Sequence, residues 1–244
     1  MQKIYAIFGV TGGIGAVVAK HLSYAGHKVY LMARNEQNLK KISLELNQPY
    51  MVVDATNEDA VLSAFNQIKI NGALDGVVSL IGSVFIKPIH LTSLIEFEEV
   101  IKINVTTSFC ILKHALSIMS KGSIVLSSST AALIGLASHE AIAAAKAAII
   151  GLVRSAAASY AKNEIRINAV APGLTRTPLT ESITNNPLAL KASTSFHPLG
   201  RIAEPEDVAS AILWLLSEDS SFVTGDVIRV DGGLSSIKLK DRNL

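Results

Sequence analysis

The chain has 244 residues, a formal net charge of +2, and 49% hydrophobic against 17% charged residues. One sizeable core fits that length without a compositional break, so a single domain over 1–244 is expected, and the scattered Lys and Arg exclude the dense basic stripe of a nucleic-acid surface. No apolar run approaches the ~20 residues of a membrane span, and the apolar run starting at Ile4 leaves no room for a signal peptide, so a cytoplasmic chain without membrane contact is expected.

In chain order, short apolar and β-branched runs occupy 4–8, 29–32, 50–53, 76–81, 123–127, 165–170 and 227–230. Between them lie helical patterns at 13–25, 35–46, 57–70, 93–119, 139–161 and 205–217. This is βα alternation, and strands that lack a polar face are buried on both sides, as in a parallel sheet between two helix layers. Right-handed crossovers then give a doubly wound α/β fold of about seven parallel strands, with ligands at the carboxyl ends of the strands. Residues 172–200, rich in Thr, Ser, Asn and Pro, show no period and read as a long irregular loop over that edge, the usual place of a lid. Residues after Gly233 read as a tail or an oligomer contact, with the local basic excess of Lys238, Lys240 and Arg242. The lone cysteine, Cys110, allows no intrachain disulfide and reads as a buried structural thiol in the 93–119 pattern. No cluster of His, Cys and acids suggests a metal site.

The first strand runs directly into Gly9-Val10-Thr11-Gly12-Gly13-Ile14-Gly15 and then a helix. Glycine removes the Cβ that would hold a pyrophosphate off the backbone, and the helix N-terminus offers free N–H groups and positive dipole. A glycine-rich turn in this context reads as a dinucleotide site built by Gly9, Gly13, Ile14 and Gly15, against the plainer reading of a tight connection. The second strand ends Ala33-Arg34-Asn35. An acid there would bind a ribose 2′-hydroxyl, whereas Arg34 suits a 2′-phosphate, so NADP(H) is expected over NAD(H) unless Arg34 is an ordinary surface charge.

The G-x-x-x-G-x-G spacing of Gly9, Gly13 and Gly15 resembles that of the short-chain dehydrogenase/reductase family. The resemblance extends to about residue 234 through Ala171-Pro172-Gly173-Leu174-Thr175-Arg176-Thr177, Pro198-Leu199-Gly200-Arg201, Glu204-Pro205-Glu206-Asp207 and Val230-Asp231-Gly232-Gly233. It implies a Rossmann fold with helices on both faces of the sheet. It also implies an adenine contact for Asp54, which could instead be a turn or N-cap acid, and cofactor contacts for Gly82, Pro172, Gly173 and Thr177. Ser79-Leu80-Ile81-Gly82 stands where the family has Asn-Asn-Ala-Gly, so the glycine is kept and both amides are missing. The family's second basic residue before the middle glycine is also missing, because Gly12 is there.

The same resemblance assigns catalytic places. Asn104 matches the helix Asn that holds a relay water, Ser129 the serine that polarises the substrate oxygen, with Ser128 and Ser127 as substitutes, and Lys146 the lysine that binds nicotinamide ribose. Their plain alternatives are a packing amide, a strand-end cap and a surface lysine. The family's proton donor is a tyrosine four residues before that lysine, and Ile142 stands there. Tyr160, fourteen residues beyond Lys146, is roughly 21 Å away along a helix and cannot replace it. His139 lies seven residues before Lys146, two helical turns, and faces the same side if the helix starts early enough. In enoyl-acyl-carrier reductases, a divergent branch of the same superfamily, the tyrosine lies at that seven-residue spacing. His139 is therefore expected to occupy the proton-donor place, with Glu140 to orient it. Alternatively, Ser138 caps the helix and His139 and Glu140 are exposed first-turn residues.

The function expected is an NADP(H)-dependent oxidoreductase acting on a small-molecule carbonyl or alcohol, an enoyl or 3-oxoacyl substrate included, with an atypical proton donor. The alternative is a catalytically silent NADP(H)-binding protein, a redox sensor or assembly partner. By the same resemblance, helices 93–119 and 139–161, the second rich in alanine, form a dimer face, and the carboxyl strand a second one, giving a homo-oligomer; intrachain packing alone would explain the alanines equally.

Overall fold

Side chains along a strand alternate between the two sheet faces, and in this chain both faces are apolar. The computed structural model, which describes residues 2–238, accordingly builds one sheet covered by helices on both sides. Its parallel strands are β1 (Ile4–Phe8), β2 (Lys28–Ala33), β3 (Tyr50–Val52), β4 (Gly76–Ser79), β5 (Gly122–Ser127), β6 (Ile165–Pro172) and β7 (Val227–Val230), in the order β3-β2-β1-β4-β5-β6-β7. The helices are α1 (Gly13–Tyr24), α2 (Glu36–Leu46), α3 (Glu58–Ile70), α4 (Leu94–Ile101), α5 (Thr107–Leu116), α6 (Glu140–Tyr160), α7 (Glu181–Thr184), α8 (Pro187–Phe196) and α9 (Pro205–Leu216). On one face Phe8, Val77 and Ile124 pack with Phe65 of α3, Ile111 of α5 and Ile149 of α6. Their strand neighbours Ile7, Val78 and Val125 pack on the other face with Val18 of α1, Leu39 of α2 and Ile212 of α9.

The chain leaves β1 for β2 on one side and later returns to β4 on the other. The two crossovers diverge there, which opens a crevice above the carboxyl ends of β1 and β4. Local signals set most helix starts. The side chain of Asn57 accepts the N–H groups of Asp59 and Ala60, and Ser93 and Glu96 form a reciprocal capping box.

Three sequence expectations are corrected. The 93–119 pattern is not one continuous helix, because a π-helical turn, Lys102–Thr106, separates α4 from α5. Side chains serve carbonyls in the turn and just before it: Asn104 Nδ2 donates to Val100 O at 2.9 Å, and Ser108 Oγ donates to Asn104 O at 2.8 Å. The 172–200 stretch is not irregular throughout, since it contains α7 and α8; Asn186 caps α8 through the N–H groups of Leu188 and Ala189, and Pro187 sits at its first turn. Segment Glu140–Asn163 is, by length and composition, apolar enough to cross a membrane, contrary to expectation; in the fold its Ile149, Val153 and Ala157 are part of the sheet core. Cys110 is buried as expected, and burial pushes its thiol pKa up. Lys240 and Arg242 lie outside the described residues.

Candidate active site

The glycine turn is dictated by space. Gly9 has φ +84°, and a Cβ on Gly15 would stand 2.6 Å from the Gly9 carbonyl oxygen, so the turn closes only without one. At Gly13 the limit comes from across the crevice, where Thr177 Cγ2 would be 3.0 Å from an added Cβ. Gly12 caps α1 without a side-chain bond, and no acid occupies the first turn. The first-turn N–H groups, Gly13, Ile14 and Gly15 among them, are thus left to a ligand, with the helix dipole behind them.

A hollow of about 180 Å³ runs from this turn past Gly82 to Lys146, Pro172, Gly173 and Thr177. Gly82 is tightly enclosed: an added Cβ would meet Lys146 Nζ at 3.0 Å and Asn104 Oδ1 at 3.1 Å. Lys146 is buried, not a surface lysine. Its Nζ donates to Ser127 O at 3.0 Å, and burial brings its pKa down to about 8. Asn104 is fully buried; its Nδ2 donates to Ser83 Oγ at 2.9 Å, and its Oδ1 accepts the Ser83 N–H at 3.3 Å. Of the three serines, Ser128 spends its hydroxyl on Lys146 O at 2.9 Å. Ser129 Oγ accepts the Ala131 N–H at 3.2 Å, which leaves its own hydrogen free over the crevice.

Beyond the hollow lies a wider cleft of about 430 Å³, and Ser83, Val84, Ser129, Pro172, Gly173 and Thr180 line both. Ser129, His139 and Ile142 all line this cleft. Ile142 is buried among Val100, Ala141 and Ala145, with Phe85, Ile101 and Val105 against them, so its side chain packs against hydrocarbon.

His139 is positioned differently from the expected helix stripe. It is the N-cap of α6, with φ −106° and ψ 12°, and so precedes the helical register that includes Lys146. Ser138 is not the cap either. It takes a left-handed conformation, φ 62°, and its carbonyl accepts the Lys87 N–H at 2.8 Å. A non-glycine residue there stores local strain, which recurs at functional sites. The half-buried imidazole lies within hydrogen-bond distance of Ala137 O, Nδ1 to oxygen 2.8 Å. Because a carbonyl can only accept, Nδ1 carries a hydrogen and Nε2 is left to exchange a proton. Glu140 is exposed in the first turn.

Arg34 and Asp54 are exposed at the ends of β2 and β3 and do not line the hollow. Asp54 is a turn acid rather than the cap of α3: its carboxylate accepts the Thr56 N–H at 3.0 Å and the Thr56 hydroxyl at 2.9 Å, and these bonds, with Arg34 nearby, lower its pKa. Tyr160 is the last residue of α6, far from the cleft, as expected.

His197 is a site residue that the sequence motifs did not single out. It is 4% exposed, its Nδ1 lies 2.7 Å from Ser193 O in α8, and its Nε2 has no partner. That nitrogen would be 2.5 Å from a Cβ on Gly173, so the ring packs directly behind the Pro172-Gly173 turn. Its position just before Pro198-Leu199-Gly200-Arg201 was the one available signal. Nearby, Thr130 Oγ1 donates to Asp231 at 3.3 Å, tying the end of β5 to the end of β7.

A parallel doubly wound sheet with a glycine turn at its switch point, an uncapped helix N-terminus above it and a buried lysine across the crevice defines a dinucleotide-binding protein of the Rossmann class. The family model described as "Enoyl-(Acyl carrier protein) reductase" matches residues 9–235. Cis-4-hydroxycyclohexanecarboxylate dehydrogenase of Sinomonas cyclohexanicum is 35% identical over 97% of this chain and 98% of its own. The 3-oxoacyl-[acyl-carrier-protein] reductase FabG of Aquifex aeolicus is 32% identical over 95% and 97%. Among solved structures, a short-chain type dehydrogenase/reductase from Mycobacterium ulcerans superposes with TM-score 0.92 at 34% identity, covering 96% of this chain and 90% of that one. ElxO with NADP bound gives 0.91 at 32% identity, covering 97% and 100%. The chain belongs to the short-chain dehydrogenase/reductase family.

Proposed function

We propose that this chain is an NADP(H)-dependent oxidoreductase that interconverts a carbonyl and an alcohol, with His139 as its proton donor and acceptor. The observation that carries this reading is the single cleft lined by Ser129, His139 and Ile142, which opens onto the hollow that ends at Lys146. Gly9, Gly13, Ile14 and Gly15 would take the pyrophosphate, Arg34 the 2′-phosphate and Asp54 the adenine side. Gly82, Pro172, Gly173, Thr177 and Lys146 would hold the nicotinamide half. When bound, the cofactor supplies or accepts the hydride.

The chain's own residues handle the oxygen. The free Ser129 hydrogen donates to the substrate oxygen, and His139 Nε2 gives it a proton as the carbon is reduced or removes one in the reverse direction. Lys146 anchors ribose, and Asn104 keeps the Gly82-Ser83 backbone against it. An NADP-bound relative and the exposed Arg34 support NADP(H) over NAD(H). NADPH oxidation across a panel of aldehydes, ketones and enoyl compounds tests the reading: turnover that falls with His139→Ala supports it.

The buried Ile142 favours one second reading, a silent NADP(H) binder. Tight NADPH binding with no oxidation of any panel member would select it. We also propose a homo-oligomer through α4, α5 and α6, supported by exposed Ile95, Phe109, Ala144 and Ala147; a monomeric mass by light scattering would exclude it.

A further inference from the structure

We infer that the substrate is an uncharged hydrocarbon ketone or secondary alcohol, and that the reacting end of the cleft rejects carboxylates and phosphates. This rests on reading the cleft as the substrate site of an oxidoreductase. The wall beyond Ser129 is formed by Val84, Phe85, Ile86, Leu136, Ile183 and Phe196, drawn from separate segments of the chain. The polar side chains among them are hydroxyls and the imidazoles of His139 and His197. Among the described residues, no Lys, Arg, Asp or Glu lines the cleft.

The cations nearby in the chain are already used. Lys87, next to Ile86, pairs with Glu96 at 2.7 Å, and Arg176 pairs with Glu204 at 3.2 Å. Arg201 forms a two-bond fork with Asp207 at 2.6 and 2.8 Å. Lys146 borders the cofactor hollow rather than this cleft. On α8, Ala189, Ala192, Ser193 and Phe196 line the cleft, whereas Lys191 is exposed and does not.

Three backbone donors around the cleft are already occupied. The Asn186 side chain takes the N–H groups of Leu188 and Ala189, and Ser129 Oγ takes that of Ala131. At the α6 N-terminus, Glu140 already supplies the negative charge that the helix dipole favours. An anion entering this cleft would lose its water and gain no counter-charge, whereas a hydrocarbon ring would gain by burial.

The test uses the full chain saturated with NADP⁺, which offers no hydride, so that ketone binding is read by calorimetry without turnover. The probes are 4-methylcyclohexanone and 4-oxocyclohexanecarboxylate, nearly matched in shape and different in charge. The expected result is at least tenfold tighter binding of the neutral ketone, with the ratio shrinking at least tenfold in Leu136→Lys or, if that variant misfolds, Phe196→Lys. Equal binding, tighter carboxylate binding, or binding of neither ketone overturns the inference. If the neutral ketone binds but NADPH is never oxidised, the oxidoreductase reading fails and the ligand class stands.

Discussion

Lys146 Nζ donates to Ser127 O at 3.0 Å, its one hydrogen bond to the described residues, although the residue is 6% exposed. Burial disfavours the charged form and brings the pKa down to about 8 from an ordinary 10.5. The folded chain therefore binds fewer protons than the unfolded chain between those values, so the penalty applies in full below about pH 8 and is relieved as pH rises towards 10.5. In the cofactor-free protein, Lys146→Met should raise stability by up to ~3 kcal/mol at pH 7 and by little at pH 10.5. Urea unfolding at the two pH values measures it, and a gain independent of pH would show that the ammonium is not penalised.

His139→Ala should lower turnover roughly a hundredfold while leaving NADPH affinity unchanged, because a positioned acid–base group contributes about that much or more. Steady-state rates beside a fluorescence titration of NADPH separate the two effects. Unchanged turnover would remove His139 from the chemistry.

Ile142→Tyr should restore proton transfer that no longer depends on His139. The larger ring must extend further into the cleft that Ile142 already lines while crowding Val100, Ala141 and Ala145, so a stability loss of about 1–3 kcal/mol is expected with the gain. Carbonyl reduction by Ile142→Tyr/His139→Ala, compared with His139→Ala alone, is the measurement; equal rates would mean that the rest of the site is not arranged for a hydroxyl there.

Arg34→Ala should weaken NADPH binding about tenfold or more and leave NADH binding nearly unchanged, since a charged hydrogen bond to phosphate is worth about 1.5–3 kcal/mol. Parallel titrations with both nucleotides decide it. An equal loss for both would assign Arg34 a role other than reading the 2′-phosphate.

Gly173→Ala should destabilise the fold and weaken cofactor binding, because its Cβ would meet His197 Nε2 at 2.5 Å and Asp231 Cα at 3.1 Å. Adding His197→Ala removes the first clash, so the double variant should recover part of the loss in thermal melts, a coupling that independent sites would not show.

The strands and the glycine turn were legible in the sequence because each depends on residues close together along the chain. Runs such as Ile4–Phe8 and the spacing of Gly9, Gly13 and Gly15 therefore point to the doubly wound sheet and its ligand edge without any knowledge of distant contacts. Helix α8 was obscured by polar composition, although Asn186-Pro187 marks its start. The π-helical turn around Asn104 depends on which carbonyls its side chain and that of Ser108 reach, which periodicity does not reveal. Burial of Lys146, the left-handed Ser138 that brings His139 to the cleft, and the packing of His197 behind Gly173 were decided by tertiary structure alone. Each joins segments far apart in the chain or a backbone conformation that those segments impose, and a local pattern carries no information about either.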